Sequence, residues 1–267
     1  MSLRELFKSK IPVIGVIHLN PTPGSPCYDG NMKKIYDQAL KEAETYREHG
    51  LHALCVENFR DYPFFPDTLP PESIAALAAI GRDIKQYSDL PVGVNALRND
   101  ALSAMAIATA IQGDFIRVNI HMGAAVADQG IIEGKSYRTL RLRSALRSNV
   151  KVFADIHVKH ASPLVTTDLQ TEISDTIHRG LSDALIVSGT QTGKPVDIDF
   201  LKTVKTNTSV PVYIGSGITH ENLEMYADIA DGFFVGSCFK YDGKANNYVD
   251  ETRVAKFMDL YKKFIEH

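Results

Sequence analysis

The sequence has too few cysteines to use them as a set. Three occur in 267 residues, at Cys27, Cys55 and Cys238. They lie far apart with no CxxC pair, so neither a disulfide framework nor a zinc knuckle is encoded. No run approaches the ~18 apolar residues of a membrane span. The opening Met1-Ser-Leu-Arg-Glu-Leu-Phe-Lys8 has no apolar signal core. A basic field is also missing: the net charge is −3, with both signs spread along the chain. That excludes the electrostatic footprint of a nucleic-acid binder. There is no HExxH motif, no interdomain linker and no low-complexity segment. These absences predict a soluble cytoplasmic protein folded as one domain over residues 1–267, long enough to bury a large core.

What the sequence does have is a rhythm. Short β-branched runs alternate with longer amphipathic stretches eight times. Strands are predicted near 12–18, 52–57, 91–96, 115–119, 151–158, 184–188, 211–215 and 232–236. Helices are predicted near 31–49, 72–87, 99–112, 135–148, 168–179, 198–207, 221–228 and 251–265. Strand-then-helix repetition points to a parallel sheet of βα units. Eight units in about 250 residues fit a (β/α)8 TIM barrel, whose active site lies where the strands end.

Chemistry-bearing residues gather at those ends. Side chains alternate along a strand, so residues two apart share a face. Asp155, His157 and Lys159 are therefore expected to project together above an interior Phe153. A carboxylate, an imidazole and an amine in one row can move protons and balance charge. His18 closes the first strand, Glu57 the second and Asn95 the third, while Arg117 and Asn119 share a face of the fourth. The expected roles are Asp155 and Glu57 as acid and base, His157 as orienting group and Lys159 as charge stabiliser. His18, Asn95, Arg117 and Asn119 are expected to bind substrate.

The later strands end differently. The sixth runs into Ser188-Gly-Thr-Gln-Thr-Gly193, the seventh into Gly215-Ser-Gly217 and the eighth into Gly236-Ser237. Glycines here let backbone N–H groups approach an anion. The loops after the seventh and eighth strands, with a helix N-terminus, form the recurrent phosphate cradle of this fold. Gly189, Thr190, Gly215, Gly217, Gly236 and Ser237 are the expected phosphate ligands. The sequence requires no cofactor. A divalent metal on Asp155, His157 and His160, with Glu57 and His18, is a weaker alternative.

Three connections are unusually rich: 20–30, 58–66 and 121–130. All come after strands and should cover the same face. The aromatic Tyr62-Pro-Phe-Phe-Pro66 stretch suits either a substrate contact or a homo-oligomer interface.

The segment Pro12-Val-Ile-Gly-Val-Ile-His-Leu-Asn-Pro-Thr-Pro-Gly-Ser-Pro26 resembles the opening of the BtpA/SgcQ family. The likeness continues through Glu57-Asn58, Val94-Asn95, Arg117-Val-Asn119, Ala154-Asp155-Ile-His157-Val-Lys-His160, Val187-Ser-Gly-Thr-Gln-Thr-Gly193, Gly215-Ser-Gly217 and Val235-Gly236. The resemblance implies a TIM barrel of the ribulose-phosphate-binding kind. It also implies either membrane-complex biogenesis, as in the photosystem I role of its cyanobacterial members, or sugar phosphate metabolism. Two expectations result. One is an isomerase, lyase or glycosyl-bond hydrolase acting on a sugar phosphate or nucleotide-like glycoside. The other is a non-catalytic assembly or regulatory factor binding a protein partner.

Overall fold

A computed structural model describes residues 1–157, 161–165, 167–189 and 195–265. Lys159, His160 and Thr190 lie outside the described residues. The strands are β1 (Val13–His18), β2 (Ala53–Glu57), β3 (Val92–Asn95), β4 (Phe115–Val118), β5 (Ala124–Ala127), β6 (Gly130–Glu133), β7 (Lys151–Ile156), β8 (Ala161–Pro163), β9 (Ala184–Val187), β10 (Val212–Ile214) and β11 (Gly232–Val235). The α-helices are α1 (Leu3–Phe7), α2 (Met32–Glu48), α3 (Pro71–Ser88), α4 (Ala101–Ala110), α5 (Ser136–Ala145), α6 (Leu169–Ser174), α7 (Ile198–Thr206), α8 (Leu223–Ala227) and α9 (Glu251–Ile265).

Eight strands close a parallel barrel in the order β1-β11-β10-β9-β7-β4-β3-β2. The expected fold is thus the observed one, and β11 pairs with β1 to complete the ring. Alternation along each strand sorts the side chains. Outward residues such as Val13, Ile17, Leu54, Val56, Ile116, Val118, Leu185 and Val187 join the helices in the main core. Inward residues fill the barrel: Ile14 and Val16, Ala53 and Cys55, Phe115, Phe153, Ile186, Tyr213 and Phe234. Phe153 and Tyr213 meet edge-on at 5.0 Å. Large rings on some strands require space on their neighbours. Gly93 pairs in register with Phe115, and a Cβ there would sit 2.1 Å from its ring.

Two features were not foreseen. Helix α1 closes the N-terminal end of the barrel, with Phe7 packed edge-on against Phe115 at 5.8 Å. A capping box between Ser2 and Glu5 starts it. In addition, β5, β6 and β8 form a small antiparallel sheet in the order β6-β5-β8. It is built from the 121–130 connection and the segment after β7, so it lies on the C-terminal side of the barrel. Among the described residues, no helix is long and apolar enough to cross a membrane.

The chain after β11 is fixed by a buried ion pair. Lys240 is fully buried and its Nζ donates to Glu42 Oε2 of α2 at 2.7 Å. Burial pulls the ammonium below its usual range, and Glu42 works against that pull.

Candidate active site

Register assembles one half of the site. His18 pairs with Glu57 across β1 and β2, and Glu57 pairs with Asn95 across β2 and β3. Residues level in register on parallel strands point the same way, so the three side chains stand in a row at the mouth. Asn95 Nδ2 donates to Glu57 Oε1 at 2.9 Å. His18 Nε2 lies 3.7 Å from Glu57 Oε2. The other His18 ring nitrogen, Nδ1, is 3.0 Å from the carbonyl oxygen of Ala245, and the ring stacks on Phe59 at 4.1 Å.

Arg117 joins this row to the far wall. Its Nη1 lies 3.7 Å from Glu57 Oε1. Nε and Nη2 donate to the two oxygens of Asp155 at 3.1 and 2.9 Å. Asn119 Nδ2 adds a third donor to Asp155 at 2.7 Å. Burial disfavours the Arg117 cation, but Asp155 and Glu57 outweigh it and hold the guanidinium above its usual range. This fork-on-fork geometry is the strong form of the ion pair.

That geometry revises the expectation for Asp155. Its side chain is 0 % exposed. Three donors already surround its oxygens, which makes it the buried counterion of Arg117. His157 departs further from expectation. Strand β7 ends at Ile156, and His157 has φ 51, which breaks the alternation. The ring stacks on Phe200 at 5.3 Å, and Nε2 pairs with Glu172 at 2.8 Å. Glu172 raises the His157 pKa against the effect of partial burial. Asp155 and His157 both line a neighbouring cavity of about 610 Å³, with Asn119 and Glu172. Among the described residues, no group of three or more His, Cys, Asp or Glu side chains could hold a metal ion.

A cavity of about 640 Å³ opens at the mouth. His18, Glu57, Asn95, Arg117 and Asn119 line one part of it, and Gly215, Ser216, Gly217, Gly236 and Ser237 another. The glycines differ in purpose. Gly215 donates its N–H to Val187 within the sheet, and a Cβ on it would sit 2.8 Å from Arg117 Nη2. It makes room for the guanidinium. Gly217 has φ 83, a backbone state that favours glycine, and Asn222 Nδ2 holds its carbonyl at 2.8 Å. A Cβ on Gly236 would come within 3.3 Å of the His18 ring. Gly189 lines a neighbouring depression with His157 and Phe200, not this cavity. The expected helix N-terminus contributes little, since α8 spans only Leu223–Ala227 and begins beyond Asn222.

Several cavity residues went unforeseen. Phe59, Leu97, Arg98 and Ser216 all line it, beside Tyr62 and Phe64 of the aromatic stretch that was expected to touch substrate. So does Asn246, from the strap behind β11. Burial lowers the Arg98 guanidinium below its usual range, with Asp155 opposing. Asn119 Oδ1 is buried with no hydrogen-bond partner among the described residues. The clustering of aromatics after β2 was the one available signal for Phe59.

The fold and sequence can be set beside known proteins. Residues 9–263 match the BtpA family. An uncharacterized protein of Methanocaldococcus jannaschii is 47% identical over 97% of both chains. The photosystem I biogenesis protein BtpA of Synechocystis is 41% identical, covering 97% of this chain and 91% of its own. Among solved structures, thiamine phosphate pyrophosphorylase from Pyrococcus furiosus aligns with a TM-score of 0.59 at 12% identity, over 96% of this chain and 98% of its own. Phosphoribosyl anthranilate isomerase from Thermus thermophilus aligns at 0.57 and 11% identity, over 95% and 99%. These two likenesses concern the TIM-barrel fold. The sequence matches concern ancestry: with the family pattern spanning nearly its whole length, the chain is a member of the BtpA family.

Proposed function

We propose that the protein is an enzyme acting on a small phosphorylated metabolite at the C-terminal mouth of the barrel. One observation carries this reading: the Glu57 carboxylate, beside His18, Asn95 and Arg117, shares one open cavity with two glycine loops suited to phosphate. Ser216, Gly217, Gly236 and Ser237 hold the phosphate through backbone N–H groups and hydroxyls, as anion nests do. Glu57 then faces the carbon skeleton and takes or returns a proton, the shared requirement of isomerases, lyases and glycosyl-bond hydrolases. Asn95 fixes the Glu57 carboxylate. Arg117, kept charged by Asp155, stabilises negative charge that develops on the substrate. Asp155 is a positioning residue, since it acts through Arg117. Asn119 Oδ1 offers an acceptor to a substrate hydroxyl. Two barrels of similar fold are named for phosphorylated compounds, which agrees with this reading without carrying it.

Titration calorimetry with ribose 5-phosphate and inorganic phosphate tests the cradle. Gly217→Val places a branched side chain where the backbone has φ 83 and where the anion would sit. At least tenfold weaker binding is expected. Binding equal to the parent's would refute the cradle.

The name of the Synechocystis relative supports a second reading, a non-catalytic biogenesis factor. Tyr62 and Phe65, which are 44% and 47% exposed, would then form the protein contact or a homo-oligomer interface. The same calorimetry separates the two, because a barrel that binds only protein partners gives no heat with any phosphate.

A further inference from the structure

The cavity has a second end that a bare sugar phosphate leaves unfilled. Tyr62, Phe64 and Phe59 line it, with Leu97. Phe64 meets the Tyr62 ring edge-on at 6.4 Å and 88°. Phe59 lies flat on His18, so the aromatic wall reaches the row that holds Glu57. Tyr62 is exposed and Phe59 and Phe64 are half-buried, so these rings forgo part of the burial that stabilises aromatic side chains, and a ligand ring restores it.

The loop that presents these rings is held in place before any ligand arrives. Asp61 accepts from Thr22 N and Thr22 Oγ1, both at 2.7 Å. Asn58 bridges to the next loop, accepting from Leu97 N at 2.7 Å and donating to Leu97 O at 3.2 Å. Arg98 N donates to Phe65 O at 3.0 Å. Asn58 is fully buried and Asp61 nearly so. A buried polar network of this kind fixes a loop rather than leaving it free. A preorganised aromatic surface binds with less ordering cost.

We propose that the ligand is a phosphate monoester carrying a flat aromatic or heteroaromatic ring, of the nucleoside monophosphate kind. Its ring lies against Tyr62 and Phe64, and its phosphate lies on the Gly217 and Gly236 loops. The sugar between them crosses Glu57, Asn95 and Asn119. This inference rests on the reading of the site as a phosphate-ester site and adds the second recognition element. The cavity volume falls within the ~300–1,000 Å³ that accommodates ligands of such size.

The test uses the full chain and four probes: adenosine 5′-monophosphate, uridine 5′-monophosphate, ribose 5-phosphate and inorganic phosphate. At least one nucleotide should bind about tenfold more tightly than ribose 5-phosphate, at the low end of base–aromatic stacking. Phe64→Leu keeps apolar bulk and removes the ring. It should shrink that difference to below about threefold while leaving ribose 5-phosphate affinity unchanged. The chain has no tryptophan, so Tyr62→Trp installs a single reporter at the mouth. Its fluorescence should be quenched by the nucleotide and not by ribose 5-phosphate. Equal affinity for nucleotide and ribose 5-phosphate in the parent overturns this inference alone. So does a nucleotide preference that survives Phe64→Leu with no quenching, and so does equal weakening of both ligands by Phe64→Leu. If no phosphate probe binds, the phosphate-ester reading fails and the inference fails with it.

Discussion

Replacing Asp155 by asparagine keeps its size and removes its charge, and the donors around it set the cost of that change. The carboxylate receives two hydrogen bonds from Arg117, at 3.1 and 2.9 Å, and one from Asn119, at 2.7 Å. All three incoming groups are donors. An asparagine has one acceptor oxygen and an NH2 group, so at least one donor would face another donor. The Arg117 cation would remain buried, with Glu57 at 3.7 Å as its remaining carboxylate neighbour at the mouth. Removing one partner of a buried pair costs about 3–5 kcal/mol. In a domain of this size, 3 kcal/mol lowers the melting temperature by roughly 6 to 12 °C. Glu57→Gln is the control. Its closest contact is one hydrogen bond from Asn95, and Arg117 and His18 stand 3.7 Å away, so about 1 kcal/mol is expected. Urea unfolding followed by circular dichroism measures both. Asp155→Asn within about 0.5 kcal/mol of the parent would refute the counterion role, since that is the range of neutral surface changes.

Lys240→Ala leaves Glu42 buried and uncompensated, so it should cost about 3–5 kcal/mol, and Lys240→Met combined with Glu42→Leu should recover most of the loss; thermal unfolding of the three variants checks this. His121 is buried with its Nε2 2.7 Å from the Gly180 carbonyl oxygen, and burial lowers its pKa from the ordinary 6.5. The unfolded chain therefore binds that proton more readily than the folded one. The contribution is complete above about pH 6.5 and is lost as pH falls through the lowered folded value; His121→Gln should flatten the urea-midpoint profile in that window. Gly93→Ala drives a methyl into the Phe115 ring, at 2.1 Å from its nearest carbon, and should destabilise by about 1–3 kcal/mol, with Phe115→Leu giving partial rescue in the double variant.

Much of the barrel was legible because one rule governs it. Ile14, Val16 and His18 repeat every second residue, as do Ala53, Cys55 and Glu57, and the last of each set is polar. That pattern located both the interior and the mouth. The rule stops where a single residue leaves the extended state: His157 has φ 51, and its ring pairs with Glu172 and stacks on Phe200. Parity also gives a direction without a partner. Nothing in the sequence said that Arg117 reaches from β4 to enclose Asp155 on β7. The small sheet stayed hidden because β5 is Ala124-Ala-Val-Ala127, too short and too poor in β-branched residues to read as a strand. Helix α1 is five residues long, yet its Ser2-x-x-Glu5 box was a readable start signal. The glycines after the later strands were expected to serve one purpose, the approach of an anion. Gly215 serves the guanidinium and the sheet, which only the packing reveals.

The central claim is that Glu57 carries out proton transfer on a phosphorylated compound at this mouth. The most direct measurement is 31P and 1H NMR of a pool of small phosphate esters incubated with the parent protein or with Glu57→Gln. The account predicts that the parent converts at least one phosphorylated compound. It predicts that Glu57→Gln, folded by circular dichroism, converts it at least a hundredfold more slowly, the lower range of general acid–base contributions. Conversion at the parental rate by Glu57→Gln, or no change in any phosphate ester with the parent, would contradict it.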